Sequence, residues 1–443
     1  MLIFMFFIIP IAHSAPVVLY TDITSGPNNV GENNNGIYIS IFGRGFGSTQ
    51  GSSTVEINGT EVAAYKCWGS SCTMRGRSDF QMITVQPGSS VSTGAIEVIV
   101  SGISSNIDHT FTVRSGDIYF VATDGDNGTA TKNDITKPWE GINDAYTESG
   151  FGAGDTIVVR DGTYNYNGTY MYFTKTGSSG NEIAILAYPG EDAEMRCTGN
   201  GRVFYLDTGS NADYHTVSGL DLNENGGGYS IFNIKASNDW LRIVNCAMHG
   251  ITGDGGLGLV NQTGDVGYVK ILGNTIYDIG TTRRNHCIYF SGSKEVEIGY
   301  NHLYDDCSGG NGIQFRDPES SSYRDQNILI HHNLLHHFGR TSILISEGSG
   351  DGLKMYNNVL YHNACSTSEG NQGGVRITTS DLFSSINIEI YNNTIYDSDS
   401  VDKDYGAWHI TGVDTLLFKN NITYALSDQY YWYVPQLNII KLE

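Results

Sequence analysis

Proline is scarce in this chain, at 8 of 443 residues, which excludes collagen-like and proline-rich disordered architectures even though glycine reaches 55. Charge is scarce as well: 16% of residues are Asp, Glu, Lys or Arg, and 25 basic side chains face 47 acidic ones. The resulting net charge of −22 sets the protein's own field against nucleic acid and anionic lipid, so neither is expected as a partner. Cysteines number only seven, and none falls in a CxxC or HxH spacing that would suggest zinc. What is abundant is tyrosine, with 28 copies, in a polar composition of the β-rich, ordered kind. Length alone suggests two or three domains or one long repeat array.

The one long apolar run, Leu2 to Ile11, is too short to span a bilayer. Ala12-His13-Ser14 follows it, with small residues at −3 and −1 of a cleavage site, so residues 1–14 read as a secretory signal peptide. A membrane anchor is the second reading, because no Lys or Arg precedes the run. A secreted or cell-surface protein with no span after cleavage is expected. Export permits disulfides, and Cys67-Trp-Gly-Ser-Ser-Cys72 is close enough in sequence to close a small loop.

Two regions differ in grammar. From residue 16 to about 115, short alternating strands are punctuated by Gly and Ser, as in Ile37-Tyr38-Ile39-Ser40-Ile41 and Ile96-Glu97-Val98-Ile99-Val100, which predicts a small β-sandwich. The succession Ile23-x-x-Gly26-Pro27, Ile39-x-Ile41-x-Gly43-x-Gly45-Phe46-Gly47, Val55-x-Ile57-Asn58-Gly59 and Ile83-Thr84-Val85-x-Pro87 resembles the IPT/TIG family of immunoglobulin-like domains. That resemblance implies a spacer or a carbohydrate or protein contact module.

From residue 118 to 443 the pattern is a repeat. Asn274-Thr-Ile-Tyr-Asp, Asn301-His-Leu-Tyr-Asp, Asn333-Leu-Leu-His-His, Asn358-Val-Leu-Tyr-His, Asn393-Thr-Ile-Tyr-Asp and Asn421-Ile-Thr-Tyr-Ala recur at intervals in the twenties and thirties, and Asn245-Cys-Ala-Met-His reads as a degenerate earlier copy. Such a period means a solenoid. Two further strand-like runs lie between successive Asn turns, for example Cys287-Ile-Tyr-Phe and Val296-Glu-Ile, giving three short strands per coil. Alternation turns Ile288, Phe290, Ile313 and Phe315 inward and Tyr289, Gln314, Leu344, Arg376 and His409 outward. Asn suits the turn because it tolerates the left-handed conformation and its amide reaches its own copy one coil away, about 4.8 Å along the axis. Cys307 and Cys365 occupy nearly equivalent positions two coils apart, about 10 Å, so no bridge between them is expected.

The stretch Tyr119 to Tyr164, with a short helical candidate from Gly141 to Glu148, looks like the capped entry of a secreted β-helix protein. Together with the repeat it resembles the pectin-lyase-like superfamily, which implies an all-β chain: a small N-terminal sandwich followed by a right-handed parallel β-helix solenoid. The chain stops soon after the Asn421 turn without an evident cap, so a longer reading frame is expected.

On the outward face Arg283, Arg284, His286 and Tyr289 of one coil, Arg316, Asp317 and Arg324 of the next, and Arg340 beyond them concentrate five arginines within 283–340. His331, His332, His336 and His337 read as turn-stacking residues, with a metal cluster as the second reading. The Asn-Thr-Asp, Asp-Asp, Gly-His-Gly and Arg-Ile-Lys elements of polygalacturonases do not occur as a set, which disfavours inverting hydrolysis by paired carboxylates. The Arg-x-Pro-x-x-Arg signature of a pectate lyase family is also missing, although Arg316-Asp317-Pro318 with Arg324 echoes it.

The expected partner is an extracellular polysaccharide, and the expected chemistry is β-elimination on one that contains uronic acid. His286 and Tyr289 are the candidate base and acid, Arg316 the charge that neutralises the substrate carboxylate, and Arg284, Gln314 and Arg340 the substrate-binding residues. Bound Ca²⁺ is a second way to neutralise that carboxylate. The alternative is a non-catalytic adhesin or carbohydrate-binding rod.

Overall fold

The computed structural model describes residues 14–442 apart from 168–170, 200, 208, 226–229, 236, 251–259, 264–265, 281, 308, 317–324, 348, 366–372, 379–385, 399–405, 426–431 and 434–439. The expected signal peptide, Asp317 and Arg324 therefore lie outside the described residues, except for Ser14.

Two small sheets form the N-terminal unit. One pairs Val17–Thr21, Ile39–Arg44, Gln81–Gln86 and Ala64–Trp68; the other is built on Thr110–Val113, Gly94–Val100 and Thr54–Ile57. Alternation places Ile39, Ile41, Val55, Ile57, Ile83, Val85, Ile96 and Val98 fully inside, between the sheets. Cys67 and Cys72 are bonded, with Cα atoms 5.1 Å apart.

From Ile118 the chain winds as a parallel β-solenoid with three sheets, whose described strands number thirteen, ten and ten. Ile142–Thr147 forms the short helix, with Ile142, Ala145 and Tyr146 buried over the first coils. Coils stack in register, as in the column Ile288, Ile313, Ile343, Val375 and Trp408 of the third sheet. All five are buried, and Phe290 stacks on Phe315 at 5.2 Å, so the inward face is a continuous apolar column. No helix among the described residues is long and apolar enough to cross a membrane.

The turn between the first and second sheets holds the Asn ladder. From each of Asn274, Asn301, Asn333, Asn358 and Asn393 the side-chain amide donates to Oδ1 of the next Asn, at 2.9–3.0 Å. The backbone N–H of the same residue donates to that same oxygen at 2.8–3.0 Å, and the second amide hydrogen serves a backbone carbonyl. The left-handed conformation, however, belongs to the residue before each ladder Asn: Gly273, Tyr300, His332, Asn357, Asn392 and Asn420 have φ between 53° and 63°. The Asn is needed for its amide alone. This also corrects the reading of Asn245 as a ladder copy. Asn245 takes the left-handed position, at φ 51°, and the ladder position passes to Cys246, whose N–H donates to Asn274 Oδ1 at 2.9 Å.

Asn245 is used instead to hold the sandwich, which lies against the first sheet of the solenoid. Its Oδ1 accepts the N–H groups of Arg75 and Gly76, each at 3.0 Å. Arg242, half-buried, donates to the carbonyls of Thr21 (2.7 Å) and Asp22 (3.2 Å). Tyr20 is sandwiched between Phe42 and Tyr300 at 4.7 and 5.0 Å. Gly273 is required here, since an added Cβ would meet the Tyr20 hydroxyl at 1.9 Å.

Cys307 and Cys365 are bonded, with Cα atoms 5.5 Å apart, contrary to the expectation from coil spacing. The spacing rule holds for strands, but both cysteines sit in the turns that lead into the third sheet. Cys307 N–H donates to His337 O (2.8 Å) and Cys365 N–H to Phe338 O (3.3 Å), so both turn in toward the intervening coil. Gly339 follows there, and a Cβ at that position would lie 2.6 Å from Gly309 O and 3.0 Å from Cys307 O. The missing side chain leaves room for the two outer turns to meet.

Two outcomes are expected. Asn333→Ala removes an acceptor shared by two buried donors and should cost about 3 kcal/mol, whereas Asn392→Gly at an exposed left-handed position should stay within about 0.5 kcal/mol, both read by denaturant unfolding. Peptide mapping of the non-reduced protein should recover one cross-linked pair joining the peptides of Cys307 and Cys365. Its loss should destabilise by roughly 4 kcal/mol in the chain-entropy account of a loop of this length.

Candidate functional site

The outward face of the third sheet carries a groove. Arg283, Arg284, His286, Tyr289, Gln314, Arg316 and Arg340 line one cavity of about 380 Å³. A second cavity of about 280 Å³ continues it along the axis and shares Gln314, Arg316 and Arg340 while adding Leu344, Ser346, Glu347, Arg376 and Thr378. All six residues singled out by sequence thus lie around the first cavity. Tyr289, Gln314, Leu344 and Arg376 are in register on successive strands and form the floor. Arg283, Arg284 and Arg340 come from the turns leading into those strands, and Arg316 ends its strand on the other side.

Asn311, buried, organises the first cavity. Its backbone N–H donates to His286 Nδ1 at 2.9 Å, its side-chain amide donates to Gln314 Oε1 at 2.8 Å, and its Oδ1 accepts the N–H of Thr341 at 3.0 Å. Because Nδ1 is the acceptor, the neutral imidazole of His286 carries its proton on Nε2. Burial, and secondarily the Arg340 charge, push its pKa down to about 3. His286 is therefore a neutral donor rather than a ready base. Gln314 lines the cavity with its oxygen already taken, which leaves its NH₂ group as the donor it has to offer.

The ring of Tyr289 stacks beside His286 at 5.9 Å and 16°. Its pKa is raised by burial, with Arg316 and a hydrogen bond with Ser291 pulling the other way. Arg316 is about half exposed and donates from Nε to Glu347 at 2.8 Å. Glu347 is the one carboxylate among the described lining residues, against five arginines. This set does not fit Ca²⁺, which takes six to eight oxygen ligands. Among the described residues no group of three or more His, Cys, Asp or Glu side chains is arranged to hold a metal ion.

The four turn histidines lie away from the groove. His331 stacks on Tyr356 at 5.1 Å, His332 on Tyr300 at 5.0 Å, and His336 between Tyr304 and Tyr361 at 5.2 and 4.6 Å, while His337 Nδ1 is 2.8 Å from His336 Nδ1. Sequence reasoning did not nominate Asn311, Arg376 or Glu347. Arg376 was legible, since the repeat registers it with Tyr289 and Gln314. Asn311 was not, being one Asn among many.

No protein-family model and no curated protein matches the chain. Among solved structures, the chain is similar to ORF18 of Geobacillus virus E2 (12% identity, TM-score 0.49, over 80% of this chain and 68% of that one). A GH136 lacto-N-biosidase from Eubacterium ramulus matches at 12% identity and TM-score 0.44, over 70% and 68% of the two chains. The family 28 exopolygalacturonase of Yersinia enterocolitica matches at 10% and 0.41, over 97% and 99%. Likeness at this level carries no assignment of activity.

Buried histidines make stability acid-sensitive. His215, His286, His332, His336 and His409 are pushed down to about 3–4 by burial. The unfolded chain, with histidine near 6.5, binds protons that the folded chain refuses, so this stability is present above about pH 6.5 and is lost as pH falls toward 4. Asp22 and Asp305, raised to about 6 by burial, act in the opposite sense in the same window. Asp155 and Asp325 are raised by burial as well, but the five lowered histidines still outnumber these four carboxylates, so the melting temperature should fall between pH 7 and pH 4, as a scan of thermal unfolding against pH will test.

Proposed function

We propose that the chain is a pectin-lyase-like β-helix protein that acts outside the cell on a uronic-acid-containing polysaccharide and cleaves it by β-elimination, with an IPT/TIG-like sandwich docked on its flank. The observation that supports this most is the groove's composition: five arginines, a tyrosine and an amide around adjoining cavities, on a chain of net charge −22. A local cationic groove on an acidic surface selects an anionic ligand, and a lone carboxylate among the described lining residues offers glycosidic hydrolysis no pair there.

In this reading the substrate carboxylate lies between Arg316 and Arg340 with the Gln314 amide donating to it. The charge neutralised there makes the C5 proton acidic. Tyr289 takes that proton as phenolate, the electron pair forms the C4–C5 double bond, the C4–O4 bond breaks, and Tyr289–OH returns the proton to the departing oxygen. The neutral His286 ring, fixed by Asn311, holds Tyr289 in place and offers Nε2–H to the substrate. Arg284 binds the neighbouring sugar. The base role expected at His286 thus passes to Tyr289.

The Arg316–Glu347 ion pair favours one competing reading, in which the groove binds a glycan without cleaving it.

Turnover is followed by the ultraviolet absorbance of unsaturated uronate ends. Tyr289→Phe should lower the rate by about 10²–10⁴-fold. Arg316→Ala should lower it comparably. Because the Tyr289 pKa is raised, the phenolate fraction and the wild-type rate should climb as pH rises from 7 into the alkaline range. Glycan binding with no unsaturated product from any polyuronate would establish the non-catalytic reading instead.

A further inference from the structure

We infer that His302 and His336 form a binding site for a divalent transition-metal ion of the Zn²⁺ or Cu²⁺ kind, set across two coils on the outward face of the second sheet and separate from the groove.

The site is a product of register. His302–Tyr304 and Leu334–His336 are adjacent parallel strands of the second sheet, with Tyr304 opposite His336. Leu303 and Leu335 are fully buried, so alternation turns both histidines outward. The two half-buried imidazoles meet on the diagonal, with Nε2 of one 2.8 Å from Nε2 of the other. Two nitrogens bound about 2.0–2.1 Å from one ion, at an angle of about 90–110°, lie about 2.9–3.4 Å apart. A shift of a few tenths of an ångström therefore turns this contact into a chelate. The His336 ring is held in place for it, stacked between Tyr304 and Tyr361 at 5.2 and 4.6 Å.

Comparison with the other histidine pair shows why this one can take an ion. His331 Nδ1 lies 3.0 Å from His332 Nδ1, but His332 Nε2 accepts from the Asn357 amide at 3.0 Å and His331 Nε2 donates to Glu297 at 3.3 Å. All four of those nitrogens are engaged, which fixes both tautomers and leaves no lone pair to offer. His336 Nδ1, by contrast, is 2.8 Å from Nδ1 of His337, and among the described residues nothing engages His302 Nδ1 or His337 Nε2. With its proton on Nδ1, His336 donates to His337 and presents a free lone pair at Nε2. His302 does the same at its own Nε2 when its proton sits on Nδ1. A metal-bound imidazole is commonly oriented in this way, through a hydrogen bond from its second nitrogen. The charge of Arg77, which bears on His302, is offset by an ion pair from its Nε to Asp79 at 2.7 Å. Imidazole pairs favour Zn²⁺, Ni²⁺ and Cu²⁺ over Mg²⁺ and Ca²⁺, and with two protein ligands water completes the shell.

Calorimetric titration of the full chain with Zn²⁺, Cu²⁺ and Mg²⁺ salts tests the site. Zn²⁺ should bind, Cu²⁺ more tightly, and Mg²⁺ not at all. His302→Ala and His336→Ala should each weaken Zn²⁺ binding at least tenfold, and His337→Ala by up to about tenfold through loss of the orienting hydrogen bond. His332→Ala should leave it unchanged. Because the ion joins groups that only the folded coils bring together, Zn²⁺ should also raise the unfolding midpoint of the wild type and not that of His302→Gln, which serves in addition should the alanine variants fail to fold. Absence of Zn²⁺ and Cu²⁺ binding, affinity that survives both His302→Ala and His336→Ala, or an equal loss in His332→Ala would overturn the inference and leave the two rings joined by a hydrogen bond alone.

Discussion

Parallel stacking of coils at one strand spacing is the constraint on which this molecule depends. Every inter-coil contact is a repeat of the same translation, so a residue type that works at one level works at the next. The Asn ladder shows the consequence most directly. A side-chain amide carries one acceptor and two donor hydrogens, and at this spacing each Oδ1 receives two N–H groups from the coil before it while the amide hydrogens serve the next Asn and a carbonyl. Buried with no water to substitute, such a column is satisfied only if it is continuous. Where the column ends, at Cys246, the backbone still donates to Asn274, and the adjacent Asn245 turns its amide to the sandwich.

The same translation explains what could be read in the sequence and what could not. Period, alternation and the Asn column are one-dimensional facts, and they place Ile288, Ile313 and Tyr289 on their proper faces without any knowledge of the fold. The one-residue offset at Asn245 was hidden because Asn serves equally as a left-handed residue and as a ladder residue. The Cys307–Cys365 bridge was hidden for a different reason. Strand spacing says nothing about turns, and the decisive residue, Gly339, matters for the side chain it lacks. Docking of the sandwich on the first sheet was also not legible, since a polar, half-covered strand face looks the same in sequence whether water or another unit covers it.

Around the groove, legibility stopped at the level of hydrogen bonds. Outward alternation and local arginine density were enough to select the residues that come together. The protonation state of His286 was not accessible in that way. It is set by a backbone N–H from Asn311 in the neighbouring coil, and histidine chemistry follows from which ring nitrogen is already engaged.

The sandwich and the groove lie on different sheets of the solenoid, and this separation bears on how the fold tolerates a cationic site. Concentrating five guanidinium groups on one face is self-repulsive, and the half-buried ones pay a desolvation penalty that water no longer offsets. The penalty is borne by a scaffold whose turns are cross-linked at the site: the Cys307–Cys365 bridge flanks the Gly339–Arg340 turn, with Arg340 N–H donating to Gly310 O at 3.2 Å and Ala364 N–H to Arg340 O at 2.8 Å. The sandwich covers the first sheet and ties down Arg242, Tyr300 and Asn245. The wall that bears the charge and the wall that carries the packing are thus braced independently.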